Sequence, residues 1–279
     1  MLRYTVSRRG LSVVLFTWMI SVCIFTNANA QVPAGFSPTP SFDEEFNESS
    51  LDTSVWTIRG AGTKRDYCYP DASAVQVVNG YARLSIYTGT NGNNYCGAIS
   101  TSNGGTGGSF LQTYGYWEAS IRFTRQDYAQ NAFWLQSPTN GAIIGNPQKS
   151  GTEMDIFEHQ FIGGAGEYDS NVYWDGYGIN GKHTHEDNIN TDVNDGNFHK
   201  FGLAWTPTTL TFYRDGVQIW QQNASQSPIS AVPEYIIFDM ELPFPPLLHA
   251  YGPLGSSWNA IMDIDYVRVY PYTGAAANP

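Results

Sequence analysis

Three acidic residues, Glu153, Asp155 and Glu158, lie within six positions of an otherwise apolar segment of the chain. Burying a charged side chain costs free energy unless the charge is paired or serves a chemical purpose. In a regular β-strand Glu153 and Asp155 would share one face, and Glu158 would point to the other. A β-bulge near Ile156 and Phe157 would return Glu158 to the first face. We therefore predict a bulged strand that presents three carboxyl groups together.

Such a row of carboxyl groups suits the cleavage of a glycosidic bond. In a retaining glycosidase two carboxyl groups lie about 5 to 5.5 Å apart, one attacking the anomeric carbon while the other protonates the leaving oxygen. Glu153 and Glu158 are the candidates, and Asp155 between them would help to hold them in different protonation states. Spacing alone fits a solvated acidic edge or a cation site equally well. The apolar neighbours Met154 and Phe157 favour a strand over a solvent loop.

The first thirty residues have the features of a secretory leader. Arg3, Arg8 and Arg9 precede an apolar run from Leu11 to Phe25, and Ala28-Asn29-Ala30 forms a small-x-small cleavage pattern. A membrane span needs about 20 apolar residues, so an uncleaved anchor is the less favoured alternative. We expect residues 1–30 to be a signal peptide and the protein to be secreted, or periplasmic in a bacterium, with no membrane contact after cleavage.

The remaining segment, residues 31–279, has the composition of one all-β domain. The chain is rich in glycine and aromatic residues, with 28 Gly and 15% aromatics, and it contains no linker or repeat. The formal net charge is −11, and removal of the three leader arginines makes it −14. Such a negative surface repels nucleic acids and other polyanions, which excludes them as partners. We expect a monomer.

Cys68 and Cys96 remain once Cys23 is removed with the leader. An even pair of cysteines in an oxidising compartment predicts a disulfide. This bond would close a loop of about 28 residues and contribute on the order of 3 kcal/mol to stability. A structural metal site would need more Cys or His ligands than this pattern supplies.

Short β-rich runs, bounded by Gly, Asn, Asp and Pro, recur along the chain and predict strands. Asp215-Gly216 predicts a two-residue type I′ turn and therefore an antiparallel hairpin. We predict an all-β jelly-roll sandwich of two antiparallel sheets with a concave substrate cleft. Segments 89–108 and 163–187 are interpreted as loops that select the substrate. The predicted strands are Val75–Val78, Ala82–Tyr87, Gly115–Phe123, Ala132–Leu135, Glu153–Glu158, Lys200–Trp205, Leu210–Arg214, Tyr235–Met240 and Ile261–Tyr270.

Aromatic residues are too numerous for the core alone, so some of them should line the cleft. A sugar ring has an apolar face of C–H bonds and a fringe of hydroxyls, and an indole floor beside polar acceptors suits both. Most tryptophans are expected in the core, but Trp134 lies shortly before the acidic segment and Trp174 lies in an aromatic patch. We predict that both bind substrate. Arg59 is a third candidate as a donor to hydroxyls, with a plain surface arginine as the alternative.

The histidines give a weaker signal. His183, His185 and Glu186 could be metal ligands, but no further imidazole or cysteine follows at a suitable interval. We interpret them as a polar loop over the cleft. His159 should face away from the acidic row and serve a structural role.

The acidic segment resembles the signature of glycoside hydrolase family 16, E-x-D-x-x-E on a bulged strand of a β-jelly-roll. Residues 151–158 carry every acidic position of that signature. Residues 42–47 resemble the opening strand of the family, residues 114–119 the strand before the active site, and residues 265–270 the closing strand. The resemblance thus spans most of the chain after the leader.

The resemblance implies roles for the three acids and for one further site. Glu153 would be the nucleophile, Asp155 its assistant and Glu158 the general acid/base; no cofactor is required for this chemistry. Many members hold a structural calcium, and the matching positions here are Glu45, the backbone of Gly80 and Asp265. Oxygen ligands of this type suit calcium.

The bulged signature is similar to that of β-1,3-glucanases and of marine galactanases. We therefore expect a retaining endo-hydrolase of a β-1,3- or mixed-linkage β-glucan, with the polysaccharide as its partner. An agarase-like hydrolase of a marine galactan and a non-catalytic carbohydrate-binding jelly roll are the alternatives. A sulfated galactan would require more Arg and Lys residues than the 14 − 3 = 11 that remain after removal of the leader.

Overall fold

A computed structural model describes residues 32–103, 108–123, 129–160, 167–190, 193–243 and 260–274. These residues belong to one unit that runs from Val32 to Pro279. The predicted signal peptide lies outside the described residues and stays a prediction. No helix in the described part of the chain is long and apolar enough to cross a membrane.

Strands make up nearly all of the regular structure in these ranges. A single 3-10 turn, Ala72–Ala74, and one short helix, α1 (Pro147–Ser150), accompany them among the described residues. In chain order the strands are β1 (Phe42–Glu44), β2 (Thr57–Ile58), β3 (Tyr69–Pro70), β4 (Val75–Val78), β5 (Tyr81–Thr88), β6 (Asn94–Cys96), β7 (Ala98–Ser100), β8 (Gly115–Phe123), β9 (Gln130–Gln136), β10 (Glu153–Gln160), β11 (Glu167–Trp174), β12 (Lys182–Asn190), β13 (His199–Trp205), β14 (Thr209–Arg214), β15 (Val217–Asn223), β16 (Tyr235–Glu241) and β17 (Ala260–Tyr270).

The strands form two sheets. The larger sheet has ten strands in the order β15-β14-β13-β8-β17-β5-β6-β3, with β1 paired to β17 and β4 paired to β5. The smaller sheet has seven strands in the order β12-β11-β10-β9-β16-β7-β2. The pairings are antiparallel except for the short parallel contact between β3 and β6. The prediction of an all-β jelly roll of two antiparallel sheets is confirmed.

The main core lies between the sheets and fixes which way β10 faces. Phe157 of β10 contacts Phe201 of β13 with ring centroids 4.2 Å apart, and Phe123 of β8 at 5.3 Å. All three rings are buried, and burying one such side chain stabilises the fold by about 2 to 3 kcal/mol. Because the apolar side chains of β10 are held in this core, its acidic side chains must lie on the outer face of the seven-stranded sheet. We call this outer face the cleft face.

Two local predictions are confirmed. Cys68 and Cys96 form a disulfide with their Cα atoms 5.9 Å apart, and it joins the segment before β3 to β6. Asp215 and Gly216 both have positive φ, 48° and 78°, as a type I′ turn requires. The turn joins β14 to β15 with Arg214 opposite Val217.

The interpretation of residues 163–187 as one loop was wrong, because this region contains β11 and most of β12. Residues 89–108 likewise contain β6 and β7. The sequence of β12 is KHTHEDNIN, which is polar at nearly every position. A strand at the edge of a sheet with little apolar surface lacks the hydrophobic alternation by which strands are recognised.

Candidate active site

The bulge in β10 is present where the sequence predicts it. Between Asp155 and Phe157 the register with β9 shifts, so that Ile156 has no Cα partner there. The register with β11 shifts between Asp155 and Glu158. Ile156 and Phe157 are consecutive and both buried in the core. The extra residue therefore returns Glu158 to the cleft face that already carries Glu153 and Asp155.

Glu153 is buried and held by two donors. Gln136 of β9 donates through Nε2 to Oε2 of Glu153 at 3.1 Å, and the hydroxyl of Tyr177 donates to the same oxygen. Burial raises the pKa of Glu153, while the bond from Tyr177 and the charge of Arg59 act in the opposite direction. The carboxyl group is thus fixed in position, with donors that favour its ionised form.

Glu158 lies at the other end of the row and accepts one amide hydrogen on each oxygen. Asn171 of β11 donates through Nδ2 to Oε2 at 2.6 Å, and Gln130 of β9 donates to Oε1. The two amides come from the strands on either side of β10. They fix the plane of the carboxyl group, because a rotation about the side chain would break both bonds.

Asp155 lies between the two glutamates and is 5% exposed. Burial raises its pKa well above the ordinary value, and the charges of Glu153 and Glu158 add to this effect. A neutral Asp155 places no additional negative charge between two carboxylates. Burial thus raises the pKa of both Asp155 and Glu153, and at Glu153 the donated hydrogen bonds oppose the rise. The different protonation states of the two glutamates stay a prediction.

The row of acids lies in an open cleft. One part of the cleft contains the three acids and is also lined by Gln130, Arg65, Asp239 and Glu241. The adjoining part is lined by polar and aromatic residues that include Gln136, Asn103, Asn140 and Tyr235. Arg59 and Tyr177 line both parts, so the cleft continues across β10, β9 and β16.

Trp134 lines the cleft beside the acids, and its binding of substrate stays a prediction. Its indole is 7% exposed, and Nε1 donates to Oδ1 of Asp239 at 3.2 Å. The guanidinium carbon of Arg59 lies 4.7 Å from the centre of the ring, within the range of a cation–π contact. Arg59, also predicted, therefore covers much of the indole face and presents its N–H groups to the cleft.

The prediction for Trp174 was wrong. Trp174 packs against the main core, and it pairs with Lys182 in the register of β11 and β12. Tyr173, one position earlier, pairs with Glu153 and therefore lies on the cleft face. Within this aromatic segment the residues that reach the cleft face are thus Tyr173 and Tyr177.

The structure gives no support to a calcium site at Glu45, Gly80 and Asp265. Oε1 of Glu45 accepts from Nε of Arg268 at 2.8 Å and from its Nη2 at 2.5 Å, so a guanidinium already neutralises this carboxylate. Across the described residues no group of three or more His, Cys, Asp and Glu side chains is arranged to hold a metal. Glu45 in this ion pair does not present a free carboxylate to a cation, so the calcium site stays a prediction and we assign no chemistry to the ion.

The histidines occupy two different environments. His159 is buried with its ring 4.7 Å from that of Phe123, on the core side of β10, as its position after Glu158 predicts. The interpretation of His183, His185 and Glu186 as a polar loop was wrong, since all three are part of β12. His183 pairs with Tyr173 and therefore shares its face of the sheet.

The model of the family "Glycosyl hydrolases family 16" matches residues 64–242, which is more than half of the chain. This match includes β10 and both strands that pair with it. The chain belongs to glycosyl hydrolases family 16. It is therefore a glycosidase, and the jelly roll described above is the fold of that family.

Solved structures of family 16 proteins have the same fold. A mixed linkage glucan PUL GH16 from Bacteroides ovatus, in complex with a G4G4G3G product, is 21% identical, with 82% of this chain and 99% of that chain covered at a TM-score of 0.62. The catalytic domain of an endo-1,3-beta-glucanase (laminarinase) from Thermotoga petrophila is 17% identical. The match covers 84% of this chain and 98% of that chain at a TM-score of 0.64. An endo-beta-1,3-glucanase from Pyrococcus furiosus is 22% identical. The match covers 85% of this chain and 95% of that chain at a TM-score of 0.64. The comparison with curated protein sequences gives no match.

In this family 16 protein the sequence analysis missed the residues that hold the acids. They are Gln130, Gln136, Asn171 and Tyr177, which bind Glu158 or Glu153. Only the two glutamines left a signal in the sequence. Gln130 and Gln136 lie at even spacing from Trp134 on one strand, so a cleft-facing Trp134 implies that they face the cleft as well.

Proposed function

We propose that the protein is a secreted, retaining endo-hydrolase of a β-1,3- or mixed-linkage β-glucan. The observation that carries this proposal is the bulge of β10, which brings Glu153, Asp155 and Glu158 to one face inside an open cleft. Aligned carboxyl groups of this kind are what double displacement at an anomeric carbon needs.

In the proposed mechanism Glu153 is the nucleophile. Gln136 and Tyr177 both donate to Oε2 of Glu153, so we assign the attack on the anomeric carbon to Oε1. Glu158 gives its proton to the leaving oxygen and then, as a carboxylate, takes a proton from the water that hydrolyses the glycosyl-enzyme. Asp155, which burial favours in its neutral form, allows the ionised Glu153 to persist beside it.

The surroundings of the acids favour a neutral polysaccharide. The net charge of the chain is −11, and Arg65, one of two arginines in the cleft, forms an ion pair with Glu241 at 2.6 Å. Little positive charge is left to bind sulfate or uronate groups. The names of the structural neighbours, a laminarinase, an endo-beta-1,3-glucanase and a mixed linkage glucan GH16, support the choice of a β-glucan.

Two further parts of the proposal, cleavage at internal bonds of the polymer and export of the protein, rest on other features. The cleft continues to either side of Glu153, as binding of an internal segment of a polymer requires. The Cys68–Cys96 disulfide and the features of residues 1–30 support export from the cytoplasm. We propose that the exported protein acts as a monomer.

The test is hydrolysis of laminarin, lichenan and agarose by the purified protein, with the products sized. We expect oligosaccharides of intermediate length from laminarin, lichenan or both. Glu153→Gln should lower the rate by several orders of magnitude and preserve polysaccharide binding, whereas the exposed control Glu48→Gln should behave as wild type. Products from agarose alone would overturn the choice of a glucan. An active Glu153→Gln variant would show that Glu153 is not the nucleophile.

A further inference from the structure

The connection between β11 and β12, residues 175–181, brings Tyr177 to Glu153 with little packing of its own. The side chain of Tyr177 is 68% exposed, and residues 177–181 are all exposed. The Tyr177 hydroxyl nevertheless donates to Oε2 of the buried Glu153 and accepts from the amide of Gln136. A mostly exposed side chain has few contacts that fix its position. The position of this hydroxyl therefore depends on how the backbone beside Tyr177 is held.

Asp175 is the one buried residue of this connection, and it directly follows β11. Each oxygen of its carboxylate has a donor. Oδ1 accepts from the backbone N–H of Gly145 at 2.8 Å, and Oδ2 accepts from Nζ of Lys182 at 2.9 Å. Gly145 lies in the connection between β9 and β10, and Lys182 is the first residue of β12. One carboxylate therefore joins three segments of the chain.

The backbone one position later brings the same two connections into direct contact. The N–H of Gly176 donates to Oδ1 of Asn140 at 3.3 Å. Gly141 lies so close that a Cβ atom on it would be 2.6 Å from Cα of Gly176, so any side chain there would collide. Asp175 and Gly176 have positive φ, 62° and 73°, which aspartate and glycine adopt more readily than most residues. The backbone is thus fixed at the two positions directly before Tyr177.

Stability alone does not explain a buried carboxylate at this position. Burying a charge is costly, and the side chain of its partner Lys182 is 58% exposed, so the ion pair contributes little. The hydrogen bond from Lys182 lowers the pKa of Asp175 against the effect of burial, whereas burial raises the pKa of Glu153. Asp175 is therefore already ionised over the pH range in which Glu153 titrates.

We propose that Asp175 is a positioning residue of the catalytic centre, which acts on Glu153 through Tyr177. Its bonds to Gly145 and Lys182 hold the connection where the Tyr177 hydroxyl meets Oε2 of Glu153. Asp175 is not among the described residues that line either part of the cleft, so it acts without contact to substrate. This inference rests on the proposed function, because it takes Glu153 to be the nucleophile.

The test is the pKa of Glu153 in wild type, Asp175→Ala, Tyr177→Phe and the double variant. The acidic limb of kcat/KM against pH on a soluble glucan reports this pKa in the free enzyme. A ¹³C NMR titration of the Glu153 carboxyl carbon, assigned with Glu153→Gln, reports it without turnover. We expect Asp175→Ala to raise the pKa by up to roughly one unit, the shift expected of Tyr177→Phe. The double variant should show the same shift as Tyr177→Phe alone.

The other charged groups that act on Glu153 lie outside the connection, so every variant retains them. They are Arg59, Asp155, Asp239 and Glu234. A shift that appears with Asp175→Ala and is absent once Tyr177 is Phe therefore passes through the Tyr177 hydroxyl.

Two further variants separate positioning from a general loss of stability. Asp175→Asn keeps an acceptor for Gly145 and suits the positive φ, so we expect a smaller shift than with Asp175→Ala. If Asp175→Ala does not fold, Asp175→Asn alone and with Tyr177→Phe decides in the same way. The matched control is Asp215→Ala. Asp215 also has positive φ and accepts a backbone N–H, that of Lys200 at 2.9 Å, but it lies in the ten-stranded sheet. This control should leave the pKa of Glu153 unmoved.

The outcomes separate this role of Asp175 from the proposed function. An unmoved pKa in a folded Asp175→Ala variant, additive shifts in the double variant, or an equal shift in Asp215→Ala would overturn the role of Asp175. Cleavage of a glucan by the same proteins would then leave the proposed function intact. If wild type cleaves no glucan but the NMR titration shows the expected shifts, Asp175 does position Tyr177 against Glu153, and the hydrolase is overturned.

Discussion

The hydroxyl of Tyr177 donates a hydrogen bond to Oε2 of Glu153, the oxygen that also accepts from Gln136. Tyr177 lies in the connection between β11 and β12, and most of its side chain is exposed while its hydroxyl reaches the buried carboxylate. The ionisation of the proposed nucleophile therefore depends on a residue outside the strands that build the site.

We expect Tyr177→Phe to shift the acidic limb of the pH–rate profile to higher pH. The bond from Tyr177 lowers the pKa of Glu153 against the effect of burial, so its removal raises that pKa and the nucleophile ionises later. A hydrogen bond to a charged group contributes about 1.5 kcal/mol or more, which corresponds to roughly one pH unit. The measurement is kcat/KM against pH, with the exposed Tyr67→Phe as control. Because kcat/KM reports ionisations of the free enzyme, an unmoved acidic limb would contradict the role of Tyr177 in lowering the pKa of Glu153.

Asn171→Ala should weaken the general acid. Loss of the 2.6 Å bond to Oε2 of Glu158 leaves the bond from Gln130 alone to orient the carboxyl group. We expect kcat on a polysaccharide to fall about 100-fold, in the range of general acid catalysis. An aryl glycoside with a good leaving group needs little protonation, so its cleavage should fall much less. Equal losses on both substrates would contradict an orienting role for Asn171.

Hydrolysis should proceed with retention. If Glu153 forms a covalent intermediate, the first product detected by proton NMR is the β-anomer, and the α-anomer grows later by mutarotation. Initial formation of the α-anomer would assign Glu153 to the activation of water and would contradict double displacement.

Glu234 should make the stability of the fold depend on pH. Its carboxyl group is fully buried, and Oε1 accepts from the backbone N–H of Thr152 at 3.0 Å and from its hydroxyl at 2.9 Å, directly before the catalytic strand. Burial raises the pKa of Glu234 from 4.5 to about 8. Between these values the folded state holds a proton that the unfolded state has released, so stability is full below pH 4.5 and falls as the pH rises toward 8.

Glu234→Gln is the variant that tests this dependence, because glutamine keeps the acceptor oxygen and cannot ionise. We expect its free energy of unfolding to vary less with pH than that of wild type, by on the order of a few kcal/mol between pH 5 and pH 8, since each pKa unit corresponds to about 1.4 kcal/mol. Urea unfolding at both pH values provides the measurement. Parallel pH curves for variant and wild type would contradict a raised pKa at this position.

Reduction of the Cys68–Cys96 bond should lower stability without abolishing the site. We expect Cys68→Ser with Cys96→Ser to cost about 2 to 4 kcal/mol of unfolding free energy. The disulfide lies in the ten-stranded sheet, whereas the acids lie in the other sheet, so kcat/KM at low temperature should stay close to that of wild type. A large loss of activity in a folded variant would mean that β6 positions the cleft.

The sequence predicted β10 and its bulge because the evidence is local. Three acids stand at positions 153, 155 and 158, with apolar residues between them. Their spacing alone indicates which side chains of β10 face the cleft and that one extra residue must form a bulge. The Asp215-Gly216 turn and the cysteine pair were equally predictable, since each depends on the conformational or chemical preference of two residues.

The partners of the acids were not predictable in the same way. Asn171 reaches Glu158 only because β11 pairs with β10 in one particular register, which depends on packing far from either residue. Trp174 was misassigned for a related reason, since the face that a strand residue occupies changes with a shift of one position. Ion pairs such as Glu45–Arg268, 223 residues apart in the sequence, leave no local pattern at all.

The polar sequence of β12 has a further consequence for the free protein. This strand ends the seven-stranded sheet, and an unpaired strand edge can recruit a strand from another molecule. Lys182, Glu186 and Asp187 place charges of both signs along it, which disfavours intermolecular pairing at that border. The polar and charged residues that made this strand hard to recognise in the sequence thus also disfavour self-association and aggregation of the protein at high concentration.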